Sequence, residues 1–119
     1  MSESGTHLEA YFAAWTALQP DLVAAFYAPD AVMEDPILAT PRRGRSEIER
    51  YFSEMFGTLE DPEHELLDWA VRGARVWFEW TFDTGGRTGP RATHRGASIQ
   101  TVRDGLIAHD HAFWSPNGG

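Results

Sequence analysis

The segment FYAPDAVMEDPILATPRRG, residues 26–44, is the most informative part of the sequence. A short apolar run predicts a strand at 31–34, and the polar and proline-containing residues after it predict a loop at 35–44. Pro36 disfavours the helical region for the residue before it. We therefore expect Asp35 to be extended, at the end of the strand or in a turn.

Asp35 has two interpretations at this point. Its neighbours are apolar, and desolvation raises the pKa of a carboxyl group towards a value that suits a general base. An aspartate in such a position also closes an Asx turn, in which its side chain accepts a backbone hydrogen bond. The residues of this segment alone favour the turn.

The composition indicates one globular domain, residues 1–119. With 42% hydrophobic and 13% aromatic residues, the chain can bury a core. The net charge of −8 argues against nucleic acid or an anionic membrane as a partner. The absence of cysteine excludes disulfides, thiolate metal ligands and a cysteine nucleophile.

The sequence predicts a cytoplasmic location. Residues 1–5 have neither the basic region nor the apolar core of a signal peptide. No apolar run approaches the length that a membrane span requires.

Three helices are predicted in the first half of the chain. Apolar residues at steps of three and four predict an amphipathic helix over 6–18. A shorter helix begins at Pro20 and is stopped by the segment 28–30. Ser46 and Glu49 form a capping box, and the residues behind it present one apolar helical face as far as Leu59.

The second half of the chain predicts antiparallel strands. Period-two alternation covers 65–72, 75–83, 93–103 and 106–115, with turns after the second and third of these. Three helices with such a meander indicate an α+β domain, whose curved sheet would leave a concave, aromatic-lined cavity over the long helix. Exposure of Trp77 on the other face predicts a homodimer through the outer sheet.

Several motifs resemble those of a known superfamily. They are Tyr11, the segment 26–36, the segment 41–44, Asp104 with Gly105, and the segment 112–115. With these motifs the chain resembles the SnoaL-like branch of the NTF2-like superfamily, and the Δ5-3-ketosteroid isomerases most closely. The resemblance implies a cone-shaped α+β barrel, with three N-terminal helices packed on a curved, mostly antiparallel sheet.

The resemblance also implies roles for individual residues. The oxyanion-binding tyrosine of the isomerases falls on Tyr11 and their catalytic aspartate on Asp35. Their second oxyanion donor falls on Ser98, and a tyrosine that supports the catalytic one falls on Phe52. The implied activity is cofactor-free proton abstraction alpha to a carbonyl, on a small hydrophobic steroid- or polyketide-like substrate. Loss of one oxyanion donor costs on the order of 10²–10³ in rate, so Ser98 predicts a weaker or different catalyst.

Asp110 is a second candidate carboxylate. In the family alignment it points into the cavity, together with Ala112 and Trp114. There it would orient the substrate or form an acid–base pair with Asp35. A register shift of one residue would instead place it outside, in solvent.

Two other functions remain open. One is a hydrolase or hydratase of the same fold, opening an epoxide or activating water with Asp110 or Asp35. The other is a non-catalytic small-molecule-binding or dimerisation module. If Tyr11, Asp35 and Asp110 all reach one cavity, the enzyme interpretations are favoured.

The remaining candidates are aromatic and basic side chains. The predicted walls of the substrate cavity are Trp15, Phe52, Phe78, Trp80, His94 and Trp114. His109 and His111 share one strand face, which can serve metal binding, but exposed or interface histidines are favoured and no metal site is predicted. Arg42, Arg43 and Arg45 are expected to be solvated loop charges.

Overall fold

The computed structural model describes residues 7–84 and 93–115. The helices are α1 (Leu8–Thr16), α2 (Pro20–Ala24) and α3 (Arg45–Phe56). The strands are β1 (Tyr27–Glu34), β2 (Arg42–Arg43), β3 (Glu63–Arg72), β4 (Arg75–Asp83), β5 (Thr93–Arg103) and β6 (Leu106–Trp114). The loop predicted after residue 84, the chain end after residue 115 and the first six residues lie outside the described ranges. No helix in those ranges is long and apolar enough to cross a membrane.

The six strands form one mixed sheet in the order β2-β1-β6-β5-β4-β3. The β1–β6 pair is parallel and every other pair is antiparallel. Within the described ranges the sheet is not closed, because β2 and β3 are its edges, so the predicted cone-shaped barrel is an open six-stranded sheet. The two residues of β2 are too few to extend a ladder towards β3.

β1 begins earlier than the sequence predicted. The second helix ends at Ala24, and residues 27–30 belong to the strand, not to the helix and its stop signal. Tertiary pairing overrides the local helical pattern here, because Tyr27 pairs with Ile107 of β6 and the Phe26 carbonyl accepts a hydrogen bond from the Ile107 amide.

α3 begins at Arg45 without the predicted capping box. Gly44 precedes the helix with φ of 91°, a left-handed conformation, and no side chain caps the helix. Glu47 Oε1 instead accepts a hydrogen bond from the Arg43 amide at 3.0 Å. The helix ends at Phe56, three residues before its predicted end.

Arg45 is not a solvated loop charge, which corrects the prediction. Its Nε and Nη2 both donate to the Tyr27 carbonyl oxygen, at 2.9 and 2.6 Å. The β1–β6 ladder shifts register between Tyr27 and Val32, so this carbonyl needs a donor from outside the ladder. Arg45 therefore fastens the start of α3 to the start of β1.

The core lies between the concave face of the sheet and the helices. Phe52 and Ile48 of α3 are fully buried, and Phe78 and Trp80 of β4 are buried on the facing side. Trp77 alternates to the outer face and is 46% exposed. This arrangement leaves a cavity between the sheet and α1 and α3.

Candidate active site

The cavity between the sheet and the helices has a volume of about 210 Å³. Tyr11, Asp35 and Asp110 all line it. Its other walls are mostly aromatic or apolar, and they include Trp15, Met33, Phe52, Met55, Phe78, Trp80 and Trp114. An apolar cavity with a few convergent polar groups is the usual form of a small-molecule site.

Asp110 points into the cavity and contacts two tyrosines. Its Oδ2 accepts a hydrogen bond from the Tyr27 hydroxyl at 2.6 Å and lies 3.5 Å from the Tyr11 hydroxyl. The two tyrosine oxygens are 2.6 Å apart. All three residues are buried, so a carboxyl group and two phenols share one desolvated cluster.

Burial is the largest influence on the ionisation of this cluster. It raises the pKa of Asp110 to about 6, although the hydrogen bond from Tyr27 and the approach of the Gln100 amide oppose the shift. The Gln100 Nε2 is buried and has no hydrogen bond of standard geometry to another described residue. Burial and the nearby Asp110 carboxylate raise the pKa of Tyr11 and of Tyr27 well above the usual value.

Asp35 forms the predicted turn and also faces the cavity. Its Oδ1 accepts a hydrogen bond from the Ile37 amide at 3.1 Å, as in an Asx turn. The same oxygen accepts one from Trp114 Nε1, also at 3.1 Å. Burial raises the pKa of Asp35, and these two hydrogen bonds partly offset the shift. The turn and the functional interpretation are therefore compatible.

Sequence comparison assigns the chain to a family. The SnoaL-like domain family matches residues 8–110. The chain belongs to the SnoaL-like family. A steroid Δ-isomerase of Nocardioides simplex is 33% identical to this SnoaL-like chain over 98 residues, which are 82% of this chain and 77% of the relative. The resemblance predicted from the motifs is confirmed.

Solved structures with the same fold include a hypothetical protein and an enzyme. A hypothetical protein of Catenulispora acidiphila, with a ketosteroid isomerase-like fold and in complex with trimethylamine, superposes with a TM-score of 0.87 at 20% identity, covering 97% of this chain and 89% of that one. The epoxide hydrolase/cyclase-like enzyme SalBIII, described in pyran ring formation in salinomycin, superposes with a TM-score of 0.82 at 18% identity, covering 95% and 91%. These similarities show the NTF2-like, ketosteroid isomerase-like fold.

Ser98 and His94 both line the cavity of the SnoaL-like chain. Ser98 is buried, and its hydroxyl oxygen accepts a hydrogen bond from Trp80 Nε1 at 2.9 Å. Since a hydroxyl can accept and donate at once, its own proton is still available to a ligand. The His94 ring packs edge-on against Trp114, with centroids 5.0 Å apart.

Tyr27 and His64 are site residues that sequence reasoning missed. The sequence predicts a helix at Tyr27 and therefore gives no sign of its contact with Asp110. His64 lines the cavity and stacks on Phe12 with ring centroids 4.0 Å apart. Extending the alternation of β3 backwards from Leu66 would have placed His64 on the inner face.

His64 and Trp15 bring buried polar atoms to the cavity wall. Among the described residues, His64 Nδ1 has no hydrogen-bond partner. Trp15 Nε1 makes no hydrogen bond of standard geometry, but it lies near the Tyr11 hydroxyl and opposes the rise in the pKa of Tyr11. Burial lowers the pKa of His64 to about 3, so the imidazole is neutral at physiological pH. The two rings contact each other, with centroids 4.7 Å apart.

His109 and His111 lie on the strand face opposite Asp110. His109 Nε2 is 2.6 Å from Glu34 Oε2, and His111 Nδ1 is 3.9 Å from the same oxygen. In the described ranges, no group of three or more histidine or acidic side chains is arranged to hold a metal ion. Both histidines are partly exposed.

Proposed function

We propose that this SnoaL-like protein is a cofactor-free enzyme of the isomerase or lyase kind. It removes a proton alpha to a carbonyl group of a small hydrophobic steroid- or polyketide-like substrate. The observation that carries the proposal is that Asp35 and Tyr11 line one apolar cavity. Proton abstraction of this kind needs a base for the carbon acid and a donor for the developing enolate oxygen.

Asp35 is the proposed base. Its raised pKa makes it a stronger base than an exposed aspartate, while the hydrogen bonds from Ile37 and Trp114 keep a charged form accessible. The proton passes from the alpha carbon to the carboxylate. Returning that proton to the gamma carbon completes the isomerisation of a β,γ-unsaturated ketone to its conjugated isomer.

Tyr11 is the proposed donor to the enolate oxygen. Ser98 and Asp110 orient the substrate, and the aromatic walls bury its hydrocarbon skeleton. The steroid Δ-isomerase relative from Nocardioides simplex supports this reaction class. Acting in a desolvated cavity, a preorganised hydroxyl donor contributes far more than it would in water.

The test is the formation of a conjugated enone from a β,γ-unsaturated steroid ketone, followed by ultraviolet absorbance. We expect Asp35→Asn to lower kcat by about 10²–10⁴-fold and Tyr11→Phe by about 10²–10³-fold. Asp21→Asn, an exposed change on α2, is the matched control and should leave kcat unaltered. Turnover that persists unchanged in Asp35→Asn refutes the assignment of the base.

A hydrolase or hydratase is the second candidate. The observation that favours it is a second buried carboxyl group in the same cavity, Asp110, whose pKa of about 6 allows it to donate a proton near neutral pH. In that reaction Asp110 would protonate an epoxide oxygen and Asp35 would activate water. Opening of a hydrophobic epoxide, abolished in Asp110→Asn, combined with no enone formation, would favour this reaction over the isomerisation.

A non-catalytic binding module is the third candidate function. Such a protein would bind steroid-like ketones and epoxides saturably and would turn over neither. Equal affinity of the wild type and Tyr11→Phe for such a ketone would also fit this reading, because binding would then rest on the apolar walls alone.

We further propose that two copies associate through the outer face of the sheet. Trp77 and Phe113 are 46% and 47% exposed there, and they pair in register with Ile99 and Ala97 respectively. Contiguous exposed apolar side chains on a sheet face are typical of an association surface.

A further inference from the structure

The hydroxyl groups of Tyr11 and Tyr27 and the carboxyl group of Asp110 form a cluster with few protons. Tyr27 lies 2.6 Å from Asp110 Oδ2 and 2.6 Å from the Tyr11 oxygen, while Tyr11 is 3.5 Å from the same Oδ2. Each phenol has one proton to donate, and an ionised carboxylate has none. The number of protons in the cluster therefore limits what it can offer to a ligand.

With Asp110 ionised, both phenol protons are used inside the cluster. Tyr27 donates to Asp110 Oδ2, so it cannot also donate to Tyr11. The short contact between the two phenols then requires Tyr11 to be the donor to Tyr27. In this state Tyr11 presents only a lone pair to the cavity, and a carbonyl or enolate oxygen would meet no proton there.

With Asp110 protonated, the cluster gains a third proton. The carboxyl group can donate to Tyr27, Tyr27 can donate to Tyr11, and the hydroxyl proton of Tyr11 is free to point into the cavity. The same oxygen positions serve both states, because only hydroxyl rotation and one proton distinguish them. The direction of the hydrogen-bond chain thus follows the protonation of Asp110.

We propose that Asp110 sets the hydrogen-bonding polarity of the cavity, and that a ligand with an acceptor oxygen binds together with one proton. This deepens the proposed function and rests on its placement of the ligand oxygen at Tyr11. Asp110 is then a specificity-determining residue. Its neutral form selects ketones and enolates, and its ionised form selects ligands that donate a hydrogen bond.

The groups around Asp110 come from several elements. They are Tyr11 of α1, Tyr27 of β1, Asp35 after β1, Tyr51 of α3, Gln100 of β5 and the neighbouring His109 of β6. The nearby Asp35 carboxylate disfavours the ionised form of Asp110, and His109 favours it. Burial raises the pKa of Asp110 to about 6, so without a ligand most of the protein holds Asp110 ionised above neutral pH.

The experiment measures binding of 2-acetylnaphthalene, a ketone that only accepts hydrogen bonds. Calorimetry in buffers of different ionisation enthalpy should show uptake of about one proton per ligand at about pH 8. The dissociation constant should rise about 50-fold from about pH 6 to about pH 8. The isostere 2-isopropenylnaphthalene, which lacks the oxygen, should bind without proton uptake.

Matched variants identify the group that takes up the proton. Asp110→Asn should abolish the uptake and make ketone affinity independent of pH, because an amide needs no proton to donate. Asp35→Asn and His94→Ala, which alter two other titratable groups of the cavity, should retain the uptake. If Asp110→Asn does not fold, NMR of labelled aspartate in the wild type should show the pKa of Asp110 rising on saturation with the ketone.

Several outcomes would overturn the proposal. They are pH-independent ketone binding in the wild type, proton uptake that survives Asp110→Asn or disappears in Asp35→Asn, and failure of the ketone to bind at any pH. None of these measurements requires turnover. Proton-coupled binding without enone formation would therefore contradict only the proposed isomerase function. Asp35-dependent turnover with pH-independent ketone binding would contradict only the role proposed for Asp110.

Discussion

Trp114 Nε1 donates a hydrogen bond to Asp35 Oδ1 at 3.1 Å, which joins the last strand to the turn after the first. The bond stabilises the ionised form of Asp35 against the burial that raises its pKa. The two side chains are 79 residues apart in the sequence. Their contact depends on the parallel pairing of β1 with β6.

Trp114→Phe should raise the pKa of Asp35 further. Removing a hydrogen bond to a charged group costs roughly 1.5–3 kcal/mol in that state, so we expect a shift of about one unit or more. Because the base works only when ionised, the acid limb of the kcat profile should move to higher pH. Trp77→Phe on the outer face is the control, and an acid limb that stays in place in Trp114→Phe would contradict the role given to this bond.

Gly96→Ala should disturb the cavity wall. A Cβ at this position would lie 2.6 Å from the Trp80 ring and 2.8 Å from the Phe113 carbonyl oxygen, closer than real contacts allow. We expect a loss of roughly 1–3 kcal/mol in urea unfolding and weaker ligand binding, since displacement of Trp80 breaks its hydrogen bond to Ser98. Gly57→Ala, where the nearest atoms are at 3.4 and 3.6 Å, should change stability much less. Equal effects of the two substitutions would argue against close packing at Gly96.

His64→Phe should remove a source of acid sensitivity. Burial lowers the pKa of His64 to about 3 in the folded state, so between about pH 6.5 and pH 3 the unfolded chain binds more protons than the folded one. Stability contributed by neutral His64 is therefore lost as the pH falls. We expect the variant to gain up to about 2 kcal/mol relative to the wild type at about pH 5, and less near neutral pH.

Thermal unfolding at several pH values checks this expectation. His111→Phe is the matched histidine substitution, because His111 lies on the outer face of the sheet and is partly exposed. A gain for His64→Phe that is the same at every pH would show that better packing, and not ionisation, is responsible.

Trp77→Glu should weaken association of two copies. The introduced carboxylate would be desolvated on association, so we expect at least a tenfold rise in the dimer dissociation constant. Analytical ultracentrifugation measures it. Leu22→Glu on α2, at a position 51% exposed, is the control for added charge at an exposed apolar site. A wild-type protein that sediments as a monomer at micromolar concentration would refute the dimer.

Local sequence patterns predicted the α+β class, the helical segments of the first half and the strands of the second. The periodic spacing of apolar residues is a local property, and it reveals a helix or strand wherever one face of that element is buried. The turn at Asp35 could also be predicted from the sequence, because Pro36 restricts the backbone of the residue before it. The sequence motifs also indicated the SnoaL-like family, which the family match over residues 8–110 confirmed.

Contacts between distant segments bring the polar groups together. The sequence around Tyr27 predicts a helix, and only its pairing with β6 makes Tyr27 a strand residue beside Asp110. Whether Asp110 faces inward depended on strand register, which a shift of one residue reverses. The open sheet, the anchoring of Arg45 on β1 and the burial that shifts the pKa of Asp110 arise from contacts between distant segments, and no local pattern encodes them.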